Sequence, residues 1–481
     1  MSAQVERVAG RTRTRPPMVT IFDSALAPAD PDALLVLEQG LVNADLAAPP
    51  VVLPDFHHKP TMEMPSSIAV ATSETIRATL TSSSVNCGMA MLALDCERPR
   101  EDAVREFYRR VTARFPYPPQ HRPVISRADV MDAAVHGAEW AVDRFGLGPE
   151  ELSRIELGGR LSMDSYGGAV RLRRELPWLV QQLARAHFGT IGPSNHFVEL
   201  QQVEQIYDPE AAARLGVELG QVTLQYHGGG GVLAGEVGSM FGSRRKRKGR
   251  LLRAAMAVTK PLVHLLSAGS LDELRNRRRL YFGPGCPPVS RETREGDRLM
   301  LTNAAAMNYG FAYRQATYAG LREVARECLG AGTALVVDSP HNSIYEERLD
   351  GRQVLVHRHN SARALPSARM GRHPLADIGQ PLLLPGTSQT SSYLCVAGAA
   401  AERSLHSVCH GAGTMVADFV ARGISQSDPE ARATLRFHYT GQPPGWQSHF
   451  DDNGVNEALR ILSENGLVRP VARMRPFACL S

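Results

Sequence analysis

Four short segments each end a strand-like run on a metal-seeking side chain and then turn through small or amide residues. SVNCGM carries Cys87, GPSNHFVE carries His196, QYHGGGG carries His227 and DSPHN carries His341. A fifth segment, SVCHGAGT, sets His410 between a cysteine and Gly-Ala-Gly. One thiolate and three imidazoles form a suitable ligand set for a borderline or soft transition metal. The glycines permit tight turns and let a bulky anion approach bare backbone N–H groups. No two of these ligands have the short spacing of a zinc finger, so a shared ion requires the fold to gather them. Taken alone, His410 has three readings: a core residue, a ligand, or a nucleophile with space cleared around it.

The elements that must position these groups follow from hydrophobic period. Strands are predicted at VVLP (51–54), SIAVAT (67–72), HFVELQQVEQIY, QVTLQYH, ALVVDS (334–339) and QVLVHRH (353–359), several with a histidine at one end. Helical spacing covers 100–115, 128–145, 173–186, 301–329 and 455–465. Residues 1–31 are polar and proline-rich and read as a loose arm. Residues 228–290 read as an inserted basic helical arm containing RRKRKGR. The chemistry-bearing residues spread from 55 to 413, so dividing the chain would divide the site. The prediction is one large mixed α/β domain over 32–481, with mixed sheets around a central site.

Composition narrows the class. The chain has 481 residues, 43% hydrophobic and 21% charged, as in an ordinary globular protein. A net charge of +5 permits a nucleic-acid partner without requiring one. The arginine-rich N-terminus lacks the apolar region of a secretory signal, and no apolar run is long enough for a membrane span. Seven scattered cysteines without a C-x-x-C pair argue against a disulfide framework and for a reducing cytoplasm.

In order, LPDFHHK (53–59), NCGM (86–89), GPSNHFVE (192–199), YHGGGG (226–231), AMNYGFAYRQ (306–315), DSPHNSIYEE (338–347), VHRHNSARALP (356–366), GQPLLLPGTSQTSSY (379–393), VCHGAG (408–413) and VARMRP (471–476) resemble the RtcB family of RNA ligases. That resemblance implies a reaction joining RNA 3′-phosphate or 2′,3′-cyclic phosphate ends to 5′-hydroxyl ends, in RNA repair or tRNA splicing. It implies up to two divalent ions, usually manganese, on Cys87, His196, His227 and His341, with the thiolate bridging. It implies GTP held by Asn195, His196, Phe197, Val198, Glu199, His341, Asn342, Pro385, Gly386, Thr387, Ser388, Ser392, His410, Gly411, Ala412 and Gly413. His410 would accept the guanylyl group, and an activator protein is a further possible partner. Asp55, His57, Arg358 and Arg363 are candidates for RNA or phosphate contacts, as are Arg244, Arg245, Lys246 and Arg247 in the arm.

The departures from the family fall on chemistry. Its Asp-Ile-Gly-Cys-Gly-Met block is Ser84 to Met89 here, so Ser84 replaces a carboxylate ligand. An arginine is lost within His227–Val232, Thr414 replaces the arginine after His-Gly-Ala-Gly, and Ser481 aligns with a C-terminal lysine that contacts nucleotide. His359-Asn360 replaces a Lys-Gly pair. One metal position is therefore expected to be weakened, and the softer donor set favours zinc or cobalt over manganese. Three readings stay open: a divergent ligase, a paralogue that binds RNA or nucleotide without ligation, and a related phosphotransfer enzyme. The arm can be tested separately. Replacing Arg244, Arg245, Lys246 and Arg247 with Ala should weaken single-stranded RNA binding and flatten its salt dependence by up to about 0.7 log units for each phosphate no longer neutralised. An unchanged salt slope would make the arm a solvated turn.

Overall fold

The computed structural model describes residues 18–117, 124–192, 196–230, 233–235, 258–265, 268–283 and 286–481. Two sheets organise them. The larger has nine strands, seven of them in the order Pro381–Leu384, Ser392–Ala397, Val468–Leu480, Phe197–Ile206, Val222–Gly228, Gly88–Leu94 and Thr333–Pro340. The hairpin Ala433–Phe437 and Gly445–Ser448 joins it beside Val468–Leu480. The second sheet runs Thr20–Ile21, Val51–Val52, Ile68–Thr72, Arg352–His359, Asn342–Leu349. Most pairs are antiparallel, with parallel pairs at Thr20–Val51 and Leu435–Ala478. This is the mixed α/β class that the sequence predicts.

Each strand of the large sheet alternates its side chains between two faces. One face, with Leu92, Leu200, Leu224 and Tyr226, packs on helices through Phe107, Tyr108, Tyr309 and Phe311. The other carries Met89, Met91, Val203, Val337 and Met474. The principal helix, Arg294–Leu329, has 36 residues. Thr293 caps its start by accepting from Gly296 N, and Gly330 ends it in the left-handed region.

Several boundaries differ from the sequence reading. The helix expected over 128–145 is two, Arg127–His136 and Ala138–Phe145, because Gly137 takes φ 59°. The one expected over 173–186 is also two, Gly168–Glu175 and Trp178–Ala186, parted by Pro177. Residues 18–31, expected within a loose arm, are built into the fold. Thr20–Ile21 pairs with Val51–Val52, Phe22 is buried, and Asp30 caps the helix Pro31–Gly40. Residues 236–257 of the basic arm lie outside the described residues, including Arg244, Arg245, Lys246 and Arg247. Its return helix Leu271–Phe282 is anchored by buried ion pairs, Arg277–Glu295 at 2.6 Å and, beside it, Arg298–Glu175 at 2.5 Å. Among the described residues no disulfide forms. No described helix is long and apolar enough to cross a membrane.

A single buried arginine ties the long helix to two strands. Arg314 Nε donates to Asp338 Oδ1 at 2.7 Å, Nη1 to Asn86 O at 2.6 Å and Nη2 to Asn86 Oδ1 at 2.8 Å. Gln315 holds the second Asp338 oxygen at 3.0 Å. Arg314 and Asp338 are both fully buried, so each charge depends on the other. Arg314→Met should therefore destabilise the fold by ~3–5 kcal/mol, and adding Asp338→Leu should recover most of that loss. Denaturant unfolding of both variants checks this; equal stability in all forms would refute it.

Candidate metal and nucleotide site

Cys87 closes a turn in which its N–H donates to Ser84 O at 3.1 Å. Asn86 within that turn has φ 56°, a conformation that Asn tolerates better than most residues. The strand Gly88–Leu94 follows at once, with Arg314 beneath it. A Cβ at Gly88 would lie 2.9 Å from Arg314 Cζ, so only glycine lets the guanidinium pass. His227 pairs with both Met89 and Phe197, so it stands on the non-helical face beside Cys87. His341 is the residue between Thr333–Pro340 of the large sheet and Asn342–Leu349 of the second. Its N–H donates to Cys87 O at 2.9 Å, and its own carbonyl accepts from Ser361 N at 2.9 Å.

These placements bring the predicted ligands together. Cys87 Sγ lies 3.1 Å from His227 Nε2 and 3.8 Å from His196 Nε2. One ligand atom each from Cys87, His227 and His341 falls within 4.8 Å of the others. His341 Nδ1 is buried without a hydrogen-bond partner, an orphan that a metal bond would satisfy. Burial and the neighbouring His410 and His227 hold the His341 imidazole well below its usual range, so it stays neutral and able to ligate. The donors therefore fit a transition ion. Among the described residues no carboxylate belongs to this group. Gly229 allows the crowding, since a Cβ there would be 3.0 Å from Cys87 Sγ.

His410 joins the cluster from the opposite side. Ser407–Cys409 pairs with Ser361–Arg363, and the His410 ring centroid lies 4.5 Å from that of His341. His410 Nδ1 lies 3.0 Å from Asn360 O, and Asn360 N donates to Asn342 Oδ1 at 2.8 Å. Asn342 and Asn360 thus link the ligand strand to the His410 loop. Burial lowers the His410 pKa to about 4, so the ring is neutral near pH 7. Asp55 sits beneath the next turn and accepts from Met415 N at 2.7 Å at the start of helix Gly413–Ala421. Burial pushes its carboxyl up to about 7. His57 Nδ1 donates to Asp55 O at 2.8 Å.

The nucleotide residues implied by the resemblance divide in two. Phe197 packs 5.9 Å from the His227 ring, Glu199 is buried with its pKa raised to about 8 by desolvation, and Ser392 Oγ accepts from Gln201 at 3.3 Å. The loop Pro385, Gly386, Thr387 and Ser388 closes on itself and on the hairpin, through Thr387 N to Thr390 Oγ1 at 2.9 Å and Ser388 Oγ to Gln447 at 3.1 Å. Pro385 O accepts from Ala412 N at 3.0 Å, which seats Gly411, Ala412 and Gly413 against that loop. Val198 and Ala412 bury their side chains in cores, so only their backbone can meet a ligand. Asn195 lies outside the described residues.

One of the candidate phosphate contacts, Arg358, needs correcting. Arg358 is fully buried and committed inside the core: Nη1 donates to Glu347 at 2.7 Å, Nε to Ser407 Oγ at 2.8 Å and Nη2 to Leu405 O at 3.0 Å. It braces the strand before His410, away from any surface where a phosphate could dock. Asp55 is a buried helix cap, accepting from Met415 N. Arg363 pairs with Glu347 at 3.4 Å and lies over the Tyr345 ring. Asp55 and His57 both line an open cavity of about 420 Å³ with Thr414. Cys409 is buried, and burial pushes its thiol up, so it packs rather than reacts.

The family model "tRNA-splicing ligase RtcB" matches residues 44–481. The chain belongs to the RtcB family. The tRNA-splicing ligase RtcB of Pyrococcus horikoshii is 30% identical over 382 residues, which are 74% of this chain and 39% of that protein. Its counterpart in Methanopyrus kandleri is 29% identical over 438 residues, 82% of this chain and 41% of that protein. The RNA-splicing ligase RtcB of Mycobacterium tuberculosis is 28% identical over 416 residues, 82% of this chain and 88% of that protein. The chain thus spans about two fifths of the length of the first two of these relatives and most of the mycobacterial one.

Sequence reasoning passed over Arg314 and the Asn342–Asn360 link. The signal for Arg314 was present in AMNYGFAYRQ, a charged residue on an otherwise apolar helix stretch. Ser84 is the expected departure that can be tested on this geometry. It opens the turn that Cys87 closes, where a carboxylate would stand beside the thiolate. Dialysed wild-type protein should keep one ion firmly and a second weakly, and Ser84→Asp should retain the second. Metal analysis of both forms together decides this; two tight ions in the wild type with no gain in the variant would refute it.

Proposed function

We propose that this RtcB-family protein is a metal- and GTP-dependent RNA ligase that works through a guanylated His410. Its substrates are RNA ends bearing a 3′-phosphate or 2′,3′-cyclic phosphate and a 5′-hydroxyl, in RNA repair or tRNA splicing. The observation that carries this reading is His410 itself. Its Nδ1 is committed to the Asn360 carbonyl, so the proton sits there and Nε2 keeps its lone pair. Its depressed pKa keeps that lone pair free near pH 7. A neutral imidazole beside a metal-competent cluster is suited to attack phosphorus.

In the first step Nε2 bonds to the α-phosphorus of GTP and the bond to pyrophosphate breaks. A divalent ion on Cys87, His227 and His341 would neutralise phosphate charge as a Lewis acid, manganese being the family's usual ion and zinc or cobalt suiting the soft donors. A 2′,3′-cyclic end must first be opened by water to the 3′-phosphate, releasing the 2′-hydroxyl, and His410 then yields GMP to that 3′-phosphate. The 5′-hydroxyl attacks that activated phosphate and GMP leaves. Asn360 holds the ring in one tautomer throughout, and the Pro385–Ser388 and Gly411–Gly413 backbones supply N–H groups to phosphate oxygens.

The second reading, a nucleotide-binding paralogue without ligation, is favoured by the absence of a carboxylate from the described ligand group. One experiment separates them. Protein incubated with each NTP and Mn²⁺ and then analysed by mass should carry one GMP as an acid-labile phosphoramidate, and His410→Ala should carry none. A full adduct on that variant refutes the nucleophile, and a wild type with no adduct from any NTP favours the binding paralogue.

A further inference from the structure

The strand Asn342–Leu349 forms one edge of the second sheet. The long helix meets that edge through Asn303, whose Nδ2 donates to Ile344 O at 3.0 Å. Beside this contact lies a cavity of about 270 Å³. Its floor is apolar, made by the buried side chains of Met300, Ala304 and Ile344. Met300 stands one helical turn before Asn303, and Ile344 and Glu346 share one face of the strand by two-residue alternation. An apolar floor with a few placed polar groups around it is the usual build of a small-molecule site.

Three polar side chains on this cavity have unmet needs. Asn303 is only 8% exposed, and its bond to Ile344 O fixes the amide so that Oδ1 is buried without a partner. The Arg363 side chain is 14% exposed, and its Nε makes no hydrogen bond. Its ion pair is to a Glu347 oxygen at 3.4 Å, the same oxygen that Arg358 holds at 2.7 Å. Glu346 is exposed, and among the described residues it enters no ion pair within 4.0 Å. Arg363 and Glu346 both border this cavity and a neighbouring one of about 440 Å³, yet they do not pair with each other. A buried amide oxygen and a mostly buried guanidinium left short of partners are costly unless a bound molecule supplies them.

We infer that this cavity binds a free α-amino acid with an apolar side chain. The carboxylate meets Arg363, whose planar guanidinium forks onto two oxygens. The ammonium carries three donors and meets Glu346 and the buried Asn303 Oδ1. The side chain lies on Met300, Ala304 and Ile344. A zwitterion adds no net charge to a wall where one cation and one anion already stand, whereas a simple anion or cation would leave one of them unmet. The cavity borders the strand that leaves His341 and, through Arg363, the strand that pairs with Ser407–Cys409 before His410. None of the metal-site residues lines it. The inference is therefore independent of the ligase reading.

The test is isothermal titration calorimetry of the full chain with L-leucine and L-methionine, and with N-acetyl-L-leucine and L-leucinamide, which each lack one charge. At least one of the free amino acids should bind with a Kd of about 1 mM or tighter, and each capped form should bind about tenfold or more weakly than L-leucine. Glu346→Gln changes only an exposed side chain and should weaken the free amino acid by about tenfold, with the fold verified by circular dichroism. Asn303→Leu should remove binding by filling the floor and deleting the acceptor. No binding of either amino acid at about 10 mM would show a cavity that holds water only and would overturn the inference. Capped forms that bind as well as L-leucine would also overturn it, since they mimic the termini of a peptide, as would an unchanged affinity in Glu346→Gln.

Discussion

The site depends on one peptide junction, where the chain leaves the large sheet and enters the second at His341. Because this residue belongs to the seam, its backbone is held from both sides. Its N–H bonds to Cys87 O and its carbonyl accepts from Ser361 N. Cys87 is tied by its neighbour to Arg314, and Ser361 pairs with Cys409 one residue before His410. The backbones that carry Cys87, His341 and His410, from three distant segments, are thereby held against one another. Under the proposed function, positioning of this kind is what a phosphoryl-transfer site requires, since it has little other covalent work to do.

Asn86 accepts the left-handed conformation that the turn before Cys87 needs. Its amide also gives Arg314 a second acceptor on that turn.

Much of this could be read from the residues alone. The strand ends at His227 and His341 follow from two-residue alternation meeting glycine or proline, and the long helix from its apolar period and caps. The ligand set rests on residue types that few other roles explain together. What could not be read is what depends on through-space partners. Arg358 looks like a phosphate residue in sequence and becomes a brace because Glu347 and Ser407 meet it in the core. Asp55 looks like part of a polar motif and becomes a cap for a helix 360 residues away.

The central claim is that the seam gathers a metal-binding thiolate and imidazoles against His410. Anomalous diffraction from crystals soaked in cobalt or zinc, collected on both sides of the metal edge, tests it most directly. The expected result is a peak bonded to Cys87 Sγ, His227 and His341, at the usual metal–sulfur and metal–nitrogen distances of about 2.3 and 2.1 Å. Crystals that take up metal elsewhere, with no peak among these three residues, would contradict it.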